Sequence, residues 1–118
     1  MKDLAPHIYR QRLLIEGFYE WAVSEADVLG FFETLLDELN MTAAGDPIVN
    51  SSLGKGKPEN QGIEAFIPLI ESGIALYTWQ SSKFLSLIIY TCKPYDNDTA
   101  LEVTQAFFGL IEMQSKSF

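Results

Sequence analysis

The sequence predicts an α+β fold, a two-layer sandwich in which an antiparallel sheet carries two helices on one face. Three observations predict it. Apolar residues recur at helical spacing in only two stretches, one early and one near the C-terminal end. The other apolar segments are short, rich in branched and aromatic side chains, and bounded by turn residues, as strands are. Three of these short segments are joined by connections too brief for a parallel crossover, so they must pair antiparallel.

Taken in order, Arg12 to Tyr19 (RLLIEGFY) reads as the first strand, with Gly17 marking a bulge or a close backbone approach. Ser24 is placed to cap a helix, with Glu25 and Asp27 in its first turn and Asp27 at capping-box distance. Val28, Phe31, Phe32, Leu35, Leu36 and Leu39 then form its apolar stripe, and Asn40 is its stop. Asp46-Pro47 breaks the chain before a short strand, Ile48 to Ser51. Leu53 to Gln61, with Gly54, Gly56 and Pro58, reads as a flexible loop. Ile63 to Ile70, Ile74 to Trp79 and Phe84 to Cys92 form a three-strand meander, in which Pro68 implies an edge or a bulge. Asp96, Asn97 or Asp98 caps a second helix with Ala100, Val103, Phe107, Leu110 and Ile111 on one face. Ser115 to Phe118 is expected to fray, which gives the order β-α-β-β-β-β-α in a single domain spanning 1–118.

The composition is that of a globular domain, 47% hydrophobic and 20% charged, with a net charge of −8. So acidic a chain repels phosphate backbones, which argues against nucleic acid as a partner and leaves a small cationic ligand as the compatible one. No apolar run approaches the ~20 residues that span a bilayer. The N-terminus lacks a signal-peptide apolar region, and Cys92 is the single cysteine, so a cytoplasmic protein without membrane attachment is expected. A core of this size leaves apolar surface that a second copy would cover.

His7 is the only histidine and lies outside the expected core, which leaves little for a Ser-His-Asp or Cys-His site or for a metal centre. One constellation stands out: Glu71-Ser72 at a turn, Thr78-Trp79 shortly after, and Thr91-Cys92 closing the next strand. Together with the first strand, it resembles the bacterial and archaeal S-adenosylmethionine decarboxylases over nearly the whole chain. The resemblance implies autocatalytic cleavage between Glu71 and Ser72, leaving a pyruvoyl group derived from Ser72 as the only cofactor, with no metal. That ketone would serve as the electron sink for decarboxylation of S-adenosylmethionine in spermidine biosynthesis, and Cys92 would return a proton to carbon. It further implies a homodimer with active sites near the subunit interface.

The chain departs from the family pattern where protons are handled. Gly73 stands where the family carries a histidine after the processed serine, and Tyr77 where a second histidine precedes Thr-Trp. A phenol is a poor base near neutrality but still donates a hydrogen bond, so Tyr77 is the candidate to assist processing. Glu64 falls where the family has a helping serine, and Gln80-Ser81 replaces Pro-Glu. Glu64 and Trp79 are taken as substrate-binding candidates. Three readings follow: an S-adenosylmethionine decarboxylase, a pyruvoyl decarboxylase of a cationic amino acid drawn by Glu64, and an unprocessed, inactive paralogue that binds or regulates. In the last, Ser72 is a turn residue, Cys92 a small buried hydrophobe, and Tyr77 and Trp79 are packing residues.

Overall fold

The computed structural model describes residues 1–118. Its elements are β1 (Gln11–Phe18), α1 (Glu25–Leu39), β2 (Ile48–Ser52), β3 (Gly62–Leu69), β4 (Ser72–Trp79), β5 (Phe84–Thr91), α2 (Asn97–Phe108) and β6 (Glu112–Ser117). The strands form one sheet in the order β2-β3-β4-β5-β1-β6, with every neighbouring pair antiparallel. No helix is long and apolar enough to cross a membrane.

Helix α1 starts as its sequence dictates. Ser24 Oγ accepts from the Asp27 N–H, the Asp27 carboxylate accepts from the Ser24 N–H, and Asn40 ends the helix in the left-handed region. Asp96 caps α2. The helices meet through aromatic rings, with Phe31 4.6 Å from Phe108 and 5.4 Å from Phe107 between centroids. Beneath them, alternate residues of the strands turn inward: Leu13 and Ile15, Ile63 to Leu69 at every second position, Ile74 and Leu76, and Leu85, Leu87 and Ile89 are all buried. This period-two pattern places one sheet face in the core.

Four expectations need correcting. Helix α2 ends at Phe108, with Gly109 left-handed, so Leu110 and Ile111 lie beyond the helix they were expected to line. The C-terminal residues do not fray: Glu112 to Ser117 form β6, a sixth strand paired along β1. Its sequence, EMQSKS, has only Met113 packed on the core, so no apolar alternation announces it, and main-chain pairing holds it. Strand β4 begins at Ser72, two residues before the expected Ile74, so Ser72 is the first strand residue and the loop is Ile70-Glu71. Leu53 to Gln61, read from sequence as a flexible loop, contains two short 3-10 turns, Gly54–Gly56 and Pro58–Asn60.

Two ambiguous residues are resolved. Gly17 marks a close approach, since a Cβ there would lie 2.7 Å from the Glu112 carbonyl oxygen. Pro68 O accepts from Ala44 N at 2.9 Å, on the side of β3 away from β4. Its missing N–H therefore falls on that side too, beyond the end of β2, where no ladder bond is lost.

The second sheet face carries no helix. The register sets its side chains in transverse rows. Ile48, Phe66, Ala75, Ile88, Leu14 and Lys116 make a mostly apolar row across all six strands. On one side lies a polar row containing Glu64, Tyr77, Ser86 and Glu16, and on the other a row with Gly73, Tyr90 and Arg12.

Candidate active site

The hairpin between β3 and β4 has a two-residue loop, Ile70-Glu71, closed by the pair Leu69 and Ser72. Loops this short normally take their positive φ within the loop. Here neither Ile70 nor Glu71 does so; the positive φ, 138°, falls on Ser72. A residue with a Cβ in that region is strained, at a cost of about 1–3 kcal/mol. The strain sits on the residue that follows the Glu71-Ser72 peptide bond.

Glu71 is fixed on both sides. Its side-chain Oε1 accepts from the Thr42 N–H at 2.9 Å, and the adjoining Ile70 N–H donates to Thr42 O at 3.0 Å. Its carbonyl oxygen accepts from the Cys92 N–H at 2.8 Å. That main-chain donor polarises the carbonyl a serine hydroxyl would attack and is placed to hold the negative charge that attack creates. Cys92 follows the last residue of β5, whose Thr91 is the register partner of Ser72, so residues 71–72 and 91–92 are cross-strand neighbours. The cysteine is exposed to solvent, where the packing alternative expected it buried. Ser72 is half-buried.

Beside Ser72 the uncovered sheet face dips into a depression of about 350 Å³, lined by Phe66, Ser72, Gly73, Ala75, Ile88 and Tyr90. Phe66 and Tyr90 rise on either side of it, 42% and 41% exposed. Gly73 forms part of its floor because the Phe66 ring lies directly over it; a Cβ at 73 would come within 2.6 Å of the ring's Cζ.

The remaining sequence candidates are elsewhere in the protomer. Glu64 and Tyr77 are register partners, facing each other across β3 and β4 on the uncovered face. Tyr77 lies five residues along β4 from Ser72, about 17 Å at the usual strand rise. Trp79 is further still, its ring tilted against Phe84 at 5.5 Å, which is in turn 5.3 Å from Phe18, in an aromatic cluster at the far end of the sheet. One protomer thus brings together Glu71, Ser72 and Cys92 but not Tyr77, Glu64 or Trp79. No three His, Cys, Asp or Glu side chains converge as a metal site would require.

Sequence reasoning missed Phe66 and Tyr90, which alternation alone assigns to a solvated face. It also missed the donor to the Glu71 carbonyl, since a main-chain N–H has no residue signature.

The comparisons with known proteins agree with this architecture. The family model described as S-adenosylmethionine decarboxylase matches residues 18–118. The crystal structure of the adenosylmethionine decarboxylase from Aquifex aeolicus VF5 superposes with a TM-score of 0.71, covering 94% of this chain and 89% of that one at 14% identity. At that identity the likeness concerns the fold. Among curated proteins, none matches the chain significantly by sequence. With the family match spanning both the Glu71-Ser72 hairpin and Cys92, the chain belongs to the S-adenosylmethionine decarboxylase family.

Proposed function

We propose that the chain cleaves itself between Glu71 and Ser72 and then decarboxylates S-adenosylmethionine, supplying an aminopropyl donor for polyamine synthesis. The observation that carries this reading is the strained Ser72 next to a Glu71 carbonyl held by the Cys92 N–H. The Ser72 hydroxyl attacks that carbonyl carbon, the C–N bond breaks, and the acyl group moves from nitrogen to oxygen. Relief of the φ strain favours this step. Loss of the Cα proton then expels Glu71 as a free carboxylate, and water replaces the nitrogen of the new terminus, releasing ammonia. The residues present fit the pyruvoyl group this leaves: residue 72 begins a strand, borders the open depression and neighbours Cys92. When formed, the group supplies the electron sink for loss of CO₂. Cys92, exposed beside it, returns a proton to the substrate carbon.

The proton-handling groups come from a second copy. Glu64 and Tyr77 lie about 17 Å from Ser72 within a protomer, as judged by strand rise. The apolar row through Ala75 and Ile88 lies midway between the Tyr77 row and the Gly73 row. A two-fold axis along that apolar row, with the uncovered faces stacked, sets one copy's Tyr77 row over the other's Gly73 row. It also buries Phe66, Ile88 and Leu14 without exposing any core. A homodimer with shared sites is therefore the assembly this reading requires.

Intact-mass analysis of the purified protein over time tests the proposal. Fragments 1–71 and 72–118 are expected, the second without its terminal nitrogen, together with CO₂ release from S-adenosylmethionine. Release from arginine or ornithine instead assigns the substrate to a cationic amino acid. Replacing Cys92 by Ala keeps the main-chain donor, so cleavage persists within a few-fold while CO₂ release falls about 100-fold or more.

A second reading has its own observation. The Phe66 ring fills the space over position 73, where the family has a histidine, and Tyr77 replaces the other histidine. These changes favour an unprocessed family member that binds the ligand without turning it over. Persistent full-length chain with retained S-adenosylmethionine binding establishes that reading in place of the first.

A further inference from the structure

We infer that Phe66 is a specificity-determining residue of the Ser72 site, acting together with Gly73 as one steric unit. The inference rests on the reading of Ser72 as the reactive position, and it names what shapes the space beside it. A Cβ built on Gly73 would lie 2.6 Å from Phe66 Cζ and 2.7 Å from Cε2, well inside contact distance. The ring therefore takes the volume a side chain at 73 would occupy, and even an alanine there must move it. Residue 73 directly follows the reactive serine, so the ring stands at the edge of the space a substrate enters. With 42% of its surface exposed in the protomer, the ring is not part of the protomer's own core, and in the proposed dimer it faces the space between the two stacked sheets. The rest of the depression is lined by Gly73, Ala75 and Ile88 between the strands that carry Phe66 and Tyr90.

The arrangement admits a ligand whose part nearest Ser72 is slender and unbranched, with its apolar portion against Phe66. A ring pressed onto a glycine is a one-sided wall, because it can swing outward but not inward. A bulky group at 73 pushes Phe66 out and widens the depression, and removal of the ring opens the whole space over the glycine. The two aromatic walls supply the contact energy, as buried aromatic anchors do in binding sites.

The test uses the full chain carrying Ser72→Ala, which keeps the protein intact, with S-adenosylmethionine as the probe in calorimetric titration. Phe66→Ala is expected to weaken binding about tenfold, the scale of one lost aromatic anchor. Gly73→Ala is expected to weaken binding several-fold when Phe66 is present and to have no further effect when residue 66 is already Ala. Phe66→Leu, which keeps apolar bulk, should recover part of the loss. Thermal unfolding reads the steric unit separately: Gly73→Ala lowers Tm with Phe66 in place and much less with Phe66→Ala. If Gly73→Ala costs the same affinity in both backgrounds, or Phe66→Ala leaves affinity unchanged, the specificity role is overturned while the proposed function stands. If the Ser72→Ala protein binds no S-adenosylmethionine at all, the substrate reading and this inference fall together.

Discussion

Strain at Ser72 and the hydrogen bond to the Glu71 carbonyl are separable by substitution. Ser72→Gly removes the hydroxyl and the Cβ, so it abolishes cleavage and releases the cost of a φ of 138°. Ser72→Ala abolishes cleavage but keeps the Cβ. Glycine at this position should therefore unfold later than alanine by about 1 kcal/mol or more in chemical denaturation, against the usual order in strands. Equal stability of the two variants would show that the hairpin carries no usable strain. Tyr95 offers a second residue-scale case. Gln11 pins its main chain on both sides, yet its hydroxyl is buried without a partner. Burial, with a smaller effect of Tyr9, pushes its ionisation above the usual phenol range. A raised folded-state value contributes stability present below about pH 10 and lost as pH rises further. Tyr95→Phe should raise stability by about 1 kcal/mol, and Tm with it, because it removes an unpaired buried hydroxyl. It should also flatten the fall in Tm above pH 10, although Tyr19, raised in the same direction by burial, keeps part of that fall.

At the scale of elements, what the sequence made legible follows from where side chains decide the structure. Helix α1 was readable to its caps because Ser24, Asp27 and Asn40 each satisfy main-chain groups through their own chemistry. The meander was readable because strands β3, β4 and β5 alternate over a buried face. Strand β6 was not, since Gln114, Ser115, Lys116 and Ser117 carry no apolar signal and its place is set by pairing with β1. Gly17 carried the missing signal, though a glycine in a strand does not say which backbone approaches. The register says it: Gly17 faces Met113, and a Cβ there would meet the Glu112 carbonyl oxygen and the Leu110 side chain. Gly17→Ala forces the β6 main chain away, because that neighbour is backbone and cannot rotate aside. The expected cost is about 2 kcal/mol, with faster hydrogen exchange confined to residues 112–117 and their partners on β1. Uniformly faster exchange across the sheet would mean that β6 is not a separate, later-docking element. The candidate site was legible in the same partial way. Glu71, Ser72 and Cys92 were named only through the resemblance to the family, whereas Phe66 was not, since it lies in a register row and not in a motif.

For the molecule as a whole, the sheet has one face buried beneath two helices and one face bearing Phe66, Ile88 and Leu14 with nothing over it. The buried core lies wholly between the helices and the other sheet face, so disrupting association on the uncovered face is expected to leave the protomer folded. Leu14→Arg places a second charge in the apolar row, next to Lys116 and on the uncovered face. It should shift the sedimenting species from dimer to monomer while Tm, measured at low concentration, changes by only a few degrees. Cleavage should slow with it, since the monomer holds no Tyr77 or Glu64 near Ser72. Mixing the Leu14→Arg monomer with Ser72→Ala protein should not restore it if the charge blocks pairing on either side. Charge sets a further condition. Each copy carries −8, so two copies repel at a distance while their apolar rows attract at contact. Added salt screens the repulsion within about 10 Å at 0.1 M and leaves the apolar contact intact. The dimer dissociation constant should therefore fall as salt rises from 0.02 to about 0.5 M, opposite to the weakening that salt causes in an interface built on ion pairs. Sedimentation equilibrium across that range, with cleavage rate followed in parallel, decides whether the uncovered face is the one that joins two copies. A dissociation constant that rises with salt would place the contact on charged surface elsewhere.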